Sequence, residues 1–125
     1  MKDTSLSDRL YLEHMRECME RVAEYTEDNR DRFMNSRLVQ DAVLRNLQTL
    51  AESSQKLSDS VKQQAPDIPW KAIAGFRNVL VHDYLGVDSV AVWRVIEFEL
   101  PRLKTVVLRL LALLSNIEPK DDRHE

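Results

Sequence analysis

Apolar residues recur at steps of three and four over several long stretches of this chain, the spacing of helices that bury one face. Over residues 6–26 the repeating positions are Tyr11, Met15, Cys18, Val22 and Tyr25. The polar run TEDNRDRFMNS interrupts the pattern, with a short turn expected around Phe33. A second helix is predicted from Ser36, a ready N-cap, to about Lys62, on the stripe Val39, Val43, Leu47, Leu50, Ser54, Leu57 and Val61. Ser54 within that stripe predicts close approach by a neighbouring helix. QQAPDIPW then ends one helix and starts another, Pro69 suiting a first turn and Asp67 a cap. The third helix is predicted over about 68–84, stopping at Gly86, the residue type favoured just past a helix end. Asp88 or Ser89 caps a fourth, with Trp93, Ile96, Leu100, Leu103, Val107, Leu110 and Leu114 as its stripe. Pro101 lies inside this last pattern and should kink or divide the helix.

Four helices with short links predict an all-α fold, an antiparallel four-helix bundle, with a fifth short helix if Pro101 divides the last. Residues 1–117 read as one domain and 118–125 as a charged flexible tail. Composition agrees: 125 residues suffice for one core, and only two glycines and four prolines leave little turn chemistry for a β fold. A single cysteine, Cys18, excludes an internal disulfide and a cysteine-based zinc site. No apolar run is long enough for a signal core or a bilayer span, so a soluble, cytoplasmic protein without a membrane partner is expected.

The net charge of −3 argues against a protein that coats nucleic acid nonspecifically. It is unevenly spread, with seven Lys and Arg against five acids in residues 60–110. That half leaves room for a local anion site but not for a broad basic surface.

The residues able to do chemistry are few. His14 lies on a charged helix face, His124 in the tail and Cys18 in a core stripe, so neither a metal centre nor a cofactor site is expected. The segment 76-FRNVLVHDYLGVD-88 differs, because Arg77, Asn78, His82 and Tyr84 stand among Val79, Leu80, Val81 and Leu85. On one ideal helix Arg77 and His82 project roughly 140° apart. They converge only if the helix ends near His82, if long side chains swing round, or across a dimer interface. As residue types they suit phosphodiester chemistry, histidine moving a proton and arginine matching a phosphate. Asn78 could orient the imidazole or donate to the phosphate, and Tyr84 could stack on a base. The structural alternative is a salt-bridged Arg77 with His82 as a helix C-terminal cation.

The wider segment 69-PWKAIAGFRNVLVHDYLGVDSVAVWRVIEFELPRLKTVV-107 resembles the HepT-like toxins of the HEPN superfamily. The matching elements are Trp70, Gly75, Arg77, Asn78, His82, Tyr84, Asp88, Trp93, Leu100 and Pro101. Upstream, Leu50-Ala51-Glu52-Ser53 stands where the family usually has Ile-Gly-Glu-Ala, keeping the glutamate. The resemblance covers roughly residues 8–112. It implies a dimeric helical bundle whose Arg–His motifs face each other in a cleft. It further implies a metal-independent endoribonuclease toxin of a type VII-like toxin–antitoxin pair, cleaving tRNA or mRNA to a 2′,3′-cyclic phosphate. Carried over, Arg77 and His82 are catalytic and Asn78 supporting. Tyr84 is the tyrosine to which an MntA-like nucleotidyltransferase antitoxin transfers AMP. The alternative is a non-catalytic helical module that binds a nucleotidyltransferase or a nucleotide through the same residues.

Overall fold

The first helix, α1 (Thr4–Thr26), ends where Glu27 and Asp28 both adopt a φ of 53°, a left-handed turn that reverses the chain. Asn29 then caps α2 (Arg30–Asn35) by accepting from the Arg32 backbone N–H. Six residues are too few to be stable on helical propensity. α2 is anchored instead by Phe33, which is fully buried and packs on the Trp93 ring at 5.7 Å. The computed structural model describes residues 4–117, and no strand occurs among them. The expected tail at 118–125, with His124, lies outside the described residues.

α3 (Arg37–Gln55) starts at Ser36, whose hydroxyl accepts from the Val39 N–H as the sequence predicts. Every member of the predicted Val39–Val61 stripe is buried. The helix does not run to Lys62, however. It stops after Gln55, and Ser58 caps a separate short helix, α4 (Asp59–Gln63). The break is imposed from α1: the buried Asp8 carboxylate accepts from the Ser58 backbone N–H at 2.8 Å and from its hydroxyl at 2.6 Å. A charge-assisted pair of this kind outweighs one more turn of helix.

α5 (Trp70–His82) begins two residues later than predicted, with Pro69 at its N-cap and no side-chain cap bond. Asp67 therefore does not cap it. Its start is set by the Trp70 indole, which donates to the Ala65 carbonyl, and by Arg102, which donates to the Asp67 carbonyl. α5 ends at His82 and is followed by a 3₁₀ turn, Tyr84–Gly86. Gly86 is not the left-handed cap expected, since no glycine has a positive φ. Its lack of a side chain serves space instead: a Cβ there would sit 2.7 Å from the Asp83 carboxylate.

Asp88 caps α6 (Ser89–Arg94), as one of the two predicted residues. The helix then passes through a π-turn, Val95–Glu99, directly into α7 (Leu100–Ile117). The regular α-helix is thus divided near Pro101, as expected, into a short α6 and a long α7, by a π-turn and not by a loop. Proline lacks an N–H and its ring clashes with the preceding turn. A single wide turn absorbs that conflict without ending the helical run. The long helices pack in the order α5, α3, α1, α7, so α1 is central and its Leu12, Met15, Cys18 and Val22 are almost fully buried. No helix among the described residues is long and apolar enough to cross a membrane.

Candidate functional site

α5 is poorly buried for a helix of thirteen residues, with Leu80 its one fully buried side chain. Ile73 and Phe76 lean towards the core, while Ala72, Gly75, Val79 and His82 lie exposed on one face. A Cβ added to Gly75 would meet nothing within 4 Å. The apolar neighbours of the motif do not enclose it either, since Leu85 is 94% exposed. The candidate residues form a surface site, not a buried one.

Arg77 lies half-buried at the seam between α5 and α3. Its Nε donates to the Glu52 carboxylate at 3.3 Å, and the Gln48 amide donates to the same oxygen at 3.1 Å. Arg77 Nη1 donates to the Asn78 side-chain oxygen at 3.3 Å, so these two predicted residues are brought together. His82 is not joined to them by any hydrogen bond among the described residues. It stands exposed as the last residue of α5, about 7.5 Å further along the axis than Arg77. The helix end expected near His82 is therefore present, but within one protomer α5 does not itself close the pair.

Tyr84 sits in the 3₁₀ turn, and its hydroxyl donates to the Asp41 carboxylate of α3 at 2.6 Å. That hydrogen bond holds the phenol above its ordinary pKa. Partial burial and the carboxylate's charge act in the same sense, and nearby Arg37 acts weakly against them. The ring remains 39% exposed.

Asp41, Gln48 and Glu52 are the contributors that sequence reading did not connect to the motif. They lie at helical spacing on one face of α3, opposite the apolar stripe, and by pattern alone such a face reads as ordinary solvated surface. Glu52 alone had a signal, through its place in the retained family segment. An apolar pocket of about 340 Å³ lies between α3, α5 and α7, lined by Leu50, Ile73, Phe76, Val95 and Leu103 among others, and none of the four motif residues lines it. Away from the motif, His14 is exposed and Cys18 buried, burial pushing its thiol up in pKa.

A family model described as "Ribonuclease HepT-like" matches residues 15–110, which span α5, the 3₁₀ turn and the α3 face that holds them. Among similar proteins, one of Thermococcus cleftensis named "Probable ribonuclease HepT" is 33% identical over 99 residues, covering 78% of this chain and 90% of its own. A Methanocaldococcus jannaschii protein named "Putative RNase" is 30% identical over 100 residues, 79% of this chain and 92% of that one. A second from that organism, named "Gamma-glutamylcyclotransferase and putative RNase", is 35% identical over 108 residues. The match is 86% of this chain but 49% of that protein, so the chain spans about half of this relative. No solved structure matches the chain.

Proposed function

The chain belongs to the HepT-like ribonuclease family, and from that premise we propose that it is a metal-independent endoribonuclease acting through Arg77 and His82. The observation that carries the reading is the end of α5. The helix stops at His82, leaving the imidazole exposed about 7.5 Å along the axis from a half-buried Arg77 whose Nε is already engaged by Glu52. Arg77 is held through Nε by Glu52 and through Nη1 by Asn78, which leaves Nη2 and the second Nη1 hydrogen to meet a phosphate.

In the proposed reaction the 2′-hydroxyl of the substrate attacks the adjacent phosphorus and the bond to the 5′-oxygen breaks, leaving a 2′,3′-cyclic phosphate. His82 moves the proton, to or from the ribose oxygens. Arg77 stabilises the charge that builds on the phosphoryl oxygens, and Asn78 supports it from the adjoining position. The gap between Arg77 and His82 along α5 is closed in this reading by a second protomer. The exposed Ala72, Gly75 and Val79 supply an apolar face with His82 at its end, and pairing two such faces brings two motifs to one cleft.

The biological role that fits is a cytoplasmic toxin acting on tRNA or mRNA and held in check by a nucleotidyltransferase antitoxin. Tyr84 supports that switch by being exposed yet anchored. Attack of its phenol oxygen on the α-phosphorus of ATP would release pyrophosphate and leave AMP two residues from His82. The added phosphate would repel RNA and offer Arg77 a competing partner.

The purified protein is expected to cleave RNA in EDTA, with His82→Ala and Arg77→Ala each removing cleavage while the circular dichroism spectrum is kept. Full cleavage by folded His82→Ala protein would hand the site to the other reading, a non-catalytic module that binds a nucleotidyltransferase or a nucleotide.

A further inference from the structure

The outward face of α3 carries Arg37, Asp41, Arg45, Gln48 and Glu52, all within about 80° of one another around the helix. Two of these residues reach across to the motif: Asp41 to Tyr84 at 2.6 Å and Glu52 to Arg77 at 3.3 Å. Residue numbers rise along α5 as they fall along α3, so the helices run antiparallel. Arg45 therefore lies level with the interval between Arg77 and Tyr84, which is the interval that contains His82.

The four charges on this face sum to zero, but they are not paired with one another. Asp41 is engaged by the Tyr84 hydroxyl and Glu52 by Arg77 and Gln48. Arg37 and Arg45 are both exposed, and neither forms an ion pair among the described residues. Arg37 moreover stands in the first turn of a nineteen-residue helix, where the dipole disfavours a cation and no acidic residue stands in the same turn. The two arginines flank Asp41 by one helical turn each, so their backbones are about 12 Å apart, a reach of more than one nucleotide.

We propose that Arg45 and Arg37 bind backbone phosphates of the RNA strand beside the scissile bond, making the outer face of α3 one wall of the substrate groove. The inference rests on the ribonuclease reading of the Arg77–His82 site and extends it to a binding track that none of the motif residues supplies. Contacts of this kind position the strand without reading its bases. They would give a chain of net charge −3 two exposed guanidinium groups, without an ion-pair partner among the described residues, as points of attachment for a polyanion.

The test uses His82→Ala protein, so that binding of a fluorescently labelled single-stranded oligoribonucleotide is measured without cleavage. Arg45→Gln and Arg37→Gln are each expected to lower the slope of log affinity against log salt by about 0.7, the value for one phosphate contact to a single strand. Together they should weaken binding on the order of tenfold. Arg30→Gln, on the exposed side of α2, should leave the slope alone. In protein with His82 intact, the double variant should raise KM and keep kcat. An unchanged salt slope in the double variant overturns the proposal. So does unchanged RNA affinity accompanied by lost binding to a nucleotidyltransferase, which would give the face to a protein partner. Wild-type protein that neither binds nor cleaves RNA removes the ribonuclease reading and this track with it, and is recognised before any α3 variant is made.

Discussion

Tyr84 illustrates how much one contact decides at the scale of a residue. A phenol on a 3₁₀ turn between two exposed residues would sample many rotamers, yet here a charge-assisted bond to Asp41 fixes it against α3. The pair keeps the phenol protonated well into alkaline solution, its pKa being raised mainly by that bond. Folding therefore gains from the pair at neutral pH, and the gain is lost as pH climbs through the raised value, above about 10. For the proposed switch, the relevant consequence is presentation: the hydroxyl is exposed to a modifying enzyme in a single orientation. Intact-mass measurement after co-expression with a minimal nucleotidyltransferase should show an AMP-sized increment on wild-type protein and none on Tyr84→Phe. An increment that survives in Tyr84→Phe would place the modification elsewhere and remove the switch.

Among the elements, the division of the second predicted helix into α3 and α4 is the clearest case of a distant residue overruling local pattern. Val39 to Val61 keep one continuous apolar stripe, and all of them are buried as one helix would bury them. Asp8 nevertheless captures Ser58 through both its backbone N–H and its hydroxyl, and it is only 3% exposed while doing so. Asp8→Ala strips a buried cap of its anionic acceptor and should cost about 2 kcal/mol, read from the urea midpoint. Asp8→Asn, which keeps an acceptor, should cost less. Equal stability of all three proteins would mean that the bond contributes nothing net. The π-turn at Val95–Glu99 makes the complementary point: Pro101 is accommodated inside a helix because packing of Leu100, Leu103 and Val107 rewards continuation.

At the scale of the whole molecule, the unusual feature is a helix that carries the candidate chemistry and buries only Leu80 fully. Helices of globular proteins ordinarily cover about a third of their circumference with core. On α5 the opposite side is also apolar, through Ala72, Gly75 and a Val79 that is 47% exposed. The proposed dimer covers this face. Val79→Asp places an unpaired charge in it and should convert dimer to monomer in sedimentation equilibrium. RNA cleavage should fall with the dimer although Arg77 and His82 are untouched. A Val79→Asp protein that remains dimeric and active would show that this face is not the contact.

The helical class, the apolar stripes of α3 and α7 and the Ser36 cap were legible in the sequence, because periodicity and local spacing carry them, whereas Arg77, Asn78, His82 and Tyr84 were singled out through the family resemblance. On α1 the stripe was legible only in part: Tyr11 and Tyr25 lie half-buried, while Leu12 and Met19 belong to the core. The phase of a helix is set by the neighbours it meets, and α1 meets α3 on one side and α7 on the other. The tertiary structure alone decided the break at Ser58, the π-turn by which the helical run passes Pro101, the spatial role of Gly86, and the contacts by which Asp41 and Glu52 hold Tyr84 and Arg77. Each depends on groups brought together from distant parts of the chain or on competition between packing and backbone geometry, and neither leaves a periodic trace in the sequence.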